Sequence, residues 1–186
     1  MDYIETPFKD LFICKPTIYG DSRGYFYESF NASHFKEKTN INVQFVQDNQ
    51  SLSAYGVIRG FHMQVGDHAQ AKLVRCIKGR ILDVVVDLRK EEPTFGQHYA
   101  IELSSENHLQ LYIPRGFAHG FSVLSEEALF IYKCDNYYHK ESEVGIDYND
   151  ATLAIDWKIP KEKQIISEKD CNNPSYKDVV NRYFKL

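Results

Sequence analysis

The sequence has no long apolar run, no excess of basic charge and no paired cysteine motif. None of its apolar stretches approaches the roughly 18–20 residues that a membrane-spanning helix needs, so we expect no membrane partner. With 22 Lys and Arg against 26 Asp and Glu, the formal charge is −4, and the basic face of a nucleic-acid-binding protein is not expected. An anionic small ligand is still possible, because a phosphate needs only a few local cations.

The cysteines are few and far apart. The sequence contains Cys14, Cys76, Cys134 and Cys171. No CxxC motif occurs and no signal peptide precedes them, which indicates reduced thiols and a cytoplasmic location. A chain of 186 residues can bury a substantial core without disulfides or metals. Because no linker, repeat or low-complexity segment divides it, we predict one domain over residues 1–186.

Short β-strands dominate the pattern up to about Tyr148. Strands are predicted over residues 11–19 and 25–30, on either side of a turn at 20–24. From residue 43 onward, short runs of Val, Ile, Phe and Tyr end at Gly, Pro, Asn or Asp about ten residues apart, which predicts a closed or double-sheet antiparallel structure. A short helix is expected over residues 31–39, capped by Asn31 or Ser33.

The one good helical period lies at the C-terminal end. Apolar residues recur there at helical spacing, namely Tyr176, Val179, Val180, Tyr183 and Phe184. Asn173 is predicted as the cap and Pro174 as the first helical residue. We expect this amphipathic helix to pack on the domain, although its apolar face could instead bind a partner.

Ionisable residues interrupt the apolar strands between residues 56 and 75. Arg59, His62 and Lys72 stand there among β-branched and aromatic residues. Removing such groups from water is costly unless they are paired or used, so the pattern favours a barrel whose interior is also a site. The alternative is a salt-bridged strand pair with a surface histidine.

Two carboxylates occur in the aliphatic run at residues 80–88. Strand alternation places Asp83 and Asp87 on the same face as Ile81 and Val85. A continuous valine run favours burial on both faces, which would put an Asp–Lys pair with Lys72 in the barrel interior. Two solvent-facing strand surfaces are the alternative.

Two motifs resemble those of cupin barrels. His62 and Gln64 stand where metal-binding cupins have H-x-H, and His119 ends a P-x-G-x-x-H pattern. Metal-binding cupins also use a downstream Glu, but none occurs between Gln64 and Gly79. A zinc or iron site needs three or four N, O or S ligands, so we expect a barrel without metal.

Further motifs follow one another in order along nearly the whole chain. They are residues 21–28 (DSRGYFYE), 46–49 (VQDN), 56–64 (GVIRGFHMQ), 70–75 (QAKLVR), 83–89 (DVVVDLR), 114–121 (PRGFAHGF), 132–133 (YK), 137–138 (YY), 157 (W) and 167–170 (SEKD). Together they resemble the dTDP-4-dehydrorhamnose 3,5-epimerase family of metal-independent, cupin-like enzymes. Met63 departs from the pattern, since the family usually has an aromatic residue there. The resemblance implies an all-β fold, a cupin-type double-stranded β-helix (jelly-roll barrel) with short helices.

The resemblance also implies the chemistry. Inverting a carbon beside a ketone needs a base on one face, an acid on the other, and stabilisation of the enolate between them. The family's base is a histidine with an aspartate partner, which correspond to His62 and Asp170, and its acid corresponds to Tyr132. Lys72 would lie at the keto oxygen. No cofactor is implied.

Other residues correspond to the family's contacts with the nucleotide. Arg23, Arg59 and His119 resemble contacts to pyrophosphate and sugar. The groups that would contact ribose and base are Glu28, Gln47, Asp48 and Asn49, with Tyr138 stacked on the base and Glu143 and Lys169 as further contacts. Without the resemblance, Tyr138 would be interpreted as an ordinary packed aromatic residue.

The resemblance therefore predicts an isomerase that converts dTDP-4-dehydro-6-deoxy-D-glucose to dTDP-4-dehydro-L-rhamnose, in L-rhamnose and cell-surface polysaccharide biosynthesis. A relative that inverts only C3 or only C5, or uses another 4-keto sugar nucleotide, stays open. So do a metal-dependent cupin oxygenase and a non-catalytic sugar-binding cupin. The family also implies a homodimer in which N-terminal strands add to the partner's sheet, so that Arg23 and Glu28 would come from the neighbouring chain.

Overall fold

The computed structural model describes residues 1–184, and most of its regular structure is β-strand. The first sheet has the strand order β1 (Asp2–Glu5), β2 (Phe12–Lys15), β10 (Gln110–Ile113), β7 (Lys72–Lys78), β12 (Glu127–Cys134) and β5 (Gln47–Ala54). The second has the order β13 (Glu143–Gly145), β6 (Val57–Gln64), β11 (Phe117–Val123), β8 (Arg80–Asp87) and β9 (His98–Ser104), with β14 (Ile165–Ile166) parallel to β6. A separate hairpin joins β3 (Tyr19–Asp21) and β4 (Gly24–Phe26). The prediction of a mostly β protein with short helices is confirmed.

The main core lies between the two sheets. Val74, Leu111 and Phe130 from the first sheet contact Val85 and Phe121 from the second in one buried cluster. This arrangement follows from alternation, because successive side chains of a strand point to opposite faces. Burying side chains of this size contributes about 1.5–3 kcal/mol each. The contact between the sheets is therefore a principal source of stability.

The second sheet is also covered on its outer face. Val84 and Val86 of β8 point there and pack with Trp157, Val179 and Val180 from the C-terminal part of the chain. Strand β8 is thus buried on both sides, as the valine run predicted.

The first sheet is covered only in part. Helix α1 (Ala32–Thr39) lays Phe35 against the region of β2, β7 and β10. The Asn31 side chain caps this helix by accepting a hydrogen bond from the His34 amide at 3.1 Å, which confirms the predicted helix and its cap.

The N-terminal strands are shorter than the sequence suggested. Strand β2 ends at Lys15, directly before Pro16, which has no amide hydrogen for a sheet ladder. The strand predicted over 25–30 ends at Phe26, so that prediction is wrong for residues 27–30. Strand β1 was not predicted.

The C-terminal helix begins later than predicted and is less regular. Ser175 caps α3 (Tyr176–Val179) by accepting a hydrogen bond from the Asp178 amide at 3.2 Å, and a π-helical turn follows over Val180–Phe184. Asn173 as cap and Pro174 as first helical residue were therefore wrong, because the serine hydroxyl caps the helix instead. The packing role is confirmed, since Val179 of α3 and Val180 of the turn are both buried against the second sheet. None of the helices described for residues 1–184 is long and apolar enough to cross a membrane.

Candidate active site

A cavity of about 460 Å³ lies between the two sheets. Nine of the predicted site residues line it: Gln47, Asn49, Arg59, His62, Lys72, His119, Tyr132, Tyr138 and Glu143. They come from β5, β7 and β12 of the first sheet, from β6, β11 and β13 of the second, and from the loop after β12. The ionisable residues of the central stretch therefore face an interior cavity.

Strand β5 contributes Gln47, Asn49, Gln50 and Ser51 to the cavity, and Asp48 is not among its lining residues. Gln47, Asn49 and Ser51 are partly buried and line it, whereas Asp48 is exposed on the opposite face. There the Asp48 carboxylate accepts a hydrogen bond from the Lys133 ammonium at 3.0 Å. The prediction of Asp48 as a contact in this cavity was therefore wrong for its own chain, because its side chain points away from its neighbours Gln47 and Asn49 and pairs with Lys133 instead.

A short polar contact in the cavity wall joins His62 and Asp170. His62 Nε2 lies 2.6 Å from Asp170 Oδ1, and Asp170 Oδ2 accepts a bond from the Gly60 amide at 3.4 Å. The short helix α2 (Glu168–Cys171), capped by Ser167, brings Asp170 to this place. Burial alone would raise the pKa of Asp170, but the hydrogen bond and charge of His62 outweigh it and lower the pKa below its ordinary value.

Lys72 and Tyr132 reach the cavity from the first sheet. The Lys72 ammonium lies 5.8 Å from the centre of the Tyr132 ring. Burial lowers the pKa of Lys72, while nearby Cys134, Asp83 and Glu143 act in the opposite direction. Burial also raises the pKa of Tyr132, which keeps its hydroxyl protonated and able to donate.

A second histidine–carboxylate pair lies deeper in the second sheet. His119 Nε2 lies 2.9 Å from Asp83 Oδ2, and Asp83 is fully buried. The prediction that Asp83 is interior is confirmed, but its hydrogen-bond partner is His119 and not Lys72, which it influences only through charge. His119 lies opposite Val85 and Phe121 opposite Asp83, so His119 and Asp83 are diagonal neighbours on one sheet face.

Asp87 lies away from the cavity, although it shares the strand face of Asp83. Its carboxylate accepts hydrogen bonds from Arg89 at 2.7 Å and from Thr94 at 2.6 Å. This contact is structural, because neither partner lines the cavity.

Tyr138, Glu143 and Lys169 form a hydrogen-bonded group at the rim. The Tyr138 hydroxyl donates to Glu143 at 3.1 Å, and the Lys169 ammonium donates to the same oxygen at 2.6 Å. Burial would raise the pKa of Glu143, but Lys169 and Tyr138 lower it below its ordinary value. Tyr138 is 52% exposed, so it is not the packed aromatic residue that the sequence alone suggested.

Arg23 and Glu28 do not reach this cavity. Arg23 stands in the turn of the β3–β4 hairpin, where it pairs with Asp21. Glu28 accepts a hydrogen bond from Asn31 at 3.1 Å, in front of α1. The two residues were predicted at a substrate site, and the cavity of their own chain is not that site.

Several lining residues were not predicted. They are Gln50, Ser51, Gln64, Gln70 and Cys134, besides Gly120 and the apolar side chains. Ser51 has the same strand parity as Asn49, and Cys134 the same as Tyr132, so alternation could have found both.

The cavity offers no cluster of metal ligands. Within residues 1–184, no three His, Cys, Asp or Glu side chains lie close enough together to hold a metal ion. His62 and His119 are direct neighbours on β6 and β11, but each points its Nε2 atom at a separate carboxylate. This donor set suits proton transfer and anion binding better than metal coordination.

Comparisons with known proteins identify the family of this chain. The family model described as dTDP-4-dehydrorhamnose 3,5-epimerase matches residues 5–178. The enzyme of that name from Shigella flexneri is 48% identical over 178 residues, which are 96% of this chain and 97% of that protein.

Solved structures give the same result. The crystal structure of dTDP-4-dehydrorhamnose 3,5-epimerase from Elizabethkingia anophelis is similar with a TM-score of 0.93 and 59% identity, over 96% of this chain and 97% of that chain. The Legionella pneumophila dTDP-6-deoxy-D-glucose-3,5-epimerase, solved in complex with dTDP-4-keto-L-rhamnose, is similar with a TM-score of 0.89 and 49% identity, over 94% and 92% of the two chains. The chain described here belongs to the dTDP-4-dehydrorhamnose 3,5-epimerase family.

Proposed function

We propose that this protein converts dTDP-4-dehydro-6-deoxy-D-glucose to dTDP-4-dehydro-L-rhamnose by inverting C3 and C5. The observation that carries the proposal is the His62–Asp170 pair, which shares one cavity with Lys72 and Tyr132 from the opposite sheet. A base, an acid and a cation around one space are what inversion beside a ketone requires. Family membership supplies the substrate class.

His62 is proposed as the base. An ionised Asp170 accepts the Nε2 hydrogen of His62, which leaves the Nδ1 lone pair free to remove a proton from carbon. The electrons of the broken C–H bond pass to the keto oxygen and form an enolate, while His62 becomes an imidazolium that Asp170 stabilises. General acid–base catalysis of this kind contributes about 10²–10⁴-fold.

Lys72 and Tyr132 are proposed to complete the reaction. The Lys72 ammonium offsets the charge that develops on the keto oxygen, an effect that strengthens in a cavity shielded from water. Tyr132 gives its proton to the opposite face of the enolate carbon, which completes the inversion. Proton return through solvent from His62 to the Tyr132 phenolate restores both groups.

The remaining polar groups are proposed to bind the nucleotide. Arg59, whose Nε donates to Ser53 at 3.0 Å, and His119, held by Asp83, would contact pyrophosphate and sugar. Asn49 and the group of Tyr138, Glu143 and Lys169 would contact the nucleoside, with Gln47 beside them bonded to Asn49 and to the Tyr138 amide.

We further propose a homodimer in which the β3–β4 hairpin supplies Arg23, and the segment that follows it supplies Glu28, to the partner's cavity. The hairpin carries aromatic side chains that one protomer leaves exposed, namely Tyr19 at 64%, Tyr25 at 60% and Phe26 at 70%. Contiguous exposed apolar groups of this kind typically mark an interface. Strand β1 ends the first sheet, so a strand of the partner could add beside it.

The finer description of the fold is part of the same proposal. Two mainly antiparallel sheets around an internal site support a cupin-type jelly roll. We propose a single domain for the sequence of 186 residues. The reduced state expected for the cysteines supports a cytoplasmic enzyme.

Incubation with the 4-keto sugar nucleotide in deuterated water tests the function. Deuterium incorporation at both C3 and C5, with L-rhamnose configuration in the product, is the expected result. Incorporation at one carbon alone would indicate a single-carbon epimerase, and none at either carbon would overturn the proposal. A parallel sample after prolonged chelation should turn over equally fast, because the cavity provides no metal-ligand cluster among residues 1–184.

A further inference from the structure

Residues 135–139, here called the strap, run along the rim of the cavity from one sheet to the other. The strap follows β12 of the first sheet and leads through a 3-10 turn at Lys140–Ser142 into β13 of the second. It carries Tyr138, which lines the cavity and donates to Glu143. The position of the strap therefore sets the position of this rim group.

Two glutamines hold consecutive backbone amides of the strap. Gln47 Oε1, on β5 of the first sheet, accepts from the Tyr138 amide at 3.1 Å. Gln64 Oε1, on β6 of the second sheet, accepts from the His139 amide at 2.9 Å. The strap is thus suspended between the two sheets by one side-chain oxygen from each.

The other contacts of the strap tie it to the loop after β6. The Asn136 carbonyl accepts from Gln70 at 2.8 Å, and the Asn136 side chain donates to the Asp67 carbonyl at 2.9 Å. The His139 ring stacks on His68 with centroids 3.9 Å apart and planes at 5°. These contacts fix Asn136 and the ring of His139, while the two glutamines hold the backbone at Tyr138 and His139.

The glutamine side chains are largely occupied by the protein itself. Gln47 accepts from Tyr138 and donates from its Nε2 to Asn49 at 3.1 Å. Gln64 is only 5% exposed. An amide oxygen that already accepts from a backbone N–H, as both of these do, is better suited to fixing the chain than to reading a ligand.

We propose that Gln64 and Gln47 are positioning residues, which hold the strap so that Tyr138 and Glu143 meet the nucleotide end of the substrate. The chemistry at the sugar stays with other side chains. The substrate part of this inference rests on the proposed function, whereas the two hydrogen bonds to the strap do not.

Loss of one anchor should weaken substrate binding and leave the chemical step in place. In Gln64→Met the side chain keeps its length but has no acceptor for the His139 amide. Because a single hydrogen bond of this kind is at stake, we expect KM to rise about 3- to 10-fold with kcat nearly unchanged. A merely structural role for Gln64 would instead reduce the folded, active fraction and therefore kcat.

Hydrogen exchange of the strap amides, followed by mass spectrometry, tests the inference independently of turnover. We expect exchange in the strap to be about tenfold faster in Gln64→Met than in the wild type, with peptides from β8 unchanged. Gln64→Glu keeps an acceptor at the same distance and should keep the protection. Gln97→Met, at an exposed glutamine whose side chain donates to the Pro93 carbonyl, is the matched control and should change neither exchange nor KM.

Two results would overturn the inference: unchanged strap exchange in Gln64→Met, or a loss confined to kcat. If Gln64→Met does not fold, Gln47→Met removes the other anchor from a partly buried position on an edge strand, and the same readouts apply. A wild-type protein without turnover would refute the proposed function, while the exchange comparison would still decide whether the glutamines hold the strap.

Discussion

His62 Nε2 lies 2.6 Å from Asp170 Oδ1, although the two residues are 108 positions apart in the sequence. Strand β6 presents the imidazole, and the serine-capped helix α2 presents the carboxylate. The contact fixes which ring nitrogen is occupied by the protein and which is free. It therefore determines how the imidazole can act as a base.

Removal of the imidazole should stop proton exchange. We expect His62→Ala to lower deuterium incorporation at both C3 and C5 by at least about 10²-fold, because the base is lost. Asp170→Asn should keep more activity, since the imidazole survives with a weaker partner. Isothermal titration with dTDP should give nearly wild-type affinity for both variants.

His98→Ala, at an exposed histidine of β9, is a control that should keep full activity. Small and equal losses in His62→Ala and Asp170→Asn would contradict the assignment of the pair.

The same pair should make stability depend on pH. The pKa of Asp170 is lower in the folded protein than its ordinary value, so its contribution to the free energy of unfolding is fully present above the unfolded pKa of about 3.9. The contribution is lost as the pH falls through the lower, folded pKa. Urea unfolding at several pH values should therefore show the wild type losing its advantage over Asp170→Asn only below about pH 4. An advantage that stayed constant down to pH 2 would contradict this.

Strand alternation was enough to predict from the sequence which side chains of β8 share a face. The period of two placed Ile81, Asp83 and Val85 on one face of β8, and all three are buried there. The same rule separates Asp48 from Gln47 and Asn49, but a contiguous motif was carried over as a unit and placed all three in the cavity. The local pattern was more reliable than the motif in this case.

Side-chain contacts between different strands could not be predicted from the sequence. The contact between His119 and Asp83 depends on the register of β11 against β8, which is set by packing of the whole sheet. The C-terminal cap was uncertain for another reason, because Asn173 and Ser175 both offer a side-chain oxygen and only packing selects between them. The mostly β fold, by contrast, followed from many short strands and did not depend on any single one.

The proposed homodimer predicts that each active site contains residues from two chains. If Arg23 acts in the partner's cavity, mixing Arg23→Ala with His62→Ala protomers gives mixed dimers with one intact cavity, which has a normal His62 and receives a normal Arg23 from the other chain. Activity should therefore reappear after the two inactive variants are unfolded together and refolded. No recovery, with mixed dimers demonstrated by mass spectrometry, would mean that Arg23 does not act across the interface. Lys15→Ala, an exposed residue of β2, should not affect the recovery.

Tyr132 separates the two halves of the reaction. In Tyr132→Phe, His62 can still remove the substrate proton, but the enolate has no donor on the opposite face. The His62 imidazolium exchanges its proton with the deuterated solvent and returns a deuteron mostly to the face that the proton left, so deuterium incorporation should persist while net inversion falls by at least about 10²-fold. Proton NMR of substrate and product in deuterated water measures both quantities in one experiment.

Tyr99→Phe is a suitable control, because Tyr99 packs against the core between the sheets and does not line the cavity. A parallel fall of incorporation and inversion in Tyr132→Phe would mean that the hydroxyl is needed to form the enolate, as a hydrogen-bond donor to the keto oxygen beside Lys72. Unchanged inversion would make Tyr132 a packing residue.

The pH dependence distinguishes a Tyr132 that helps to form the enolate from one that acts only as the acid. Burial lowers the pKa of Lys72, so Lys72 loses its positive charge as the pH rises. A Tyr132 that donates to the keto oxygen should then become more important, and the ratio of wild-type to variant deuterium incorporation should increase with pH. A Tyr132 that acts only as the acid should leave that ratio near one at every pH.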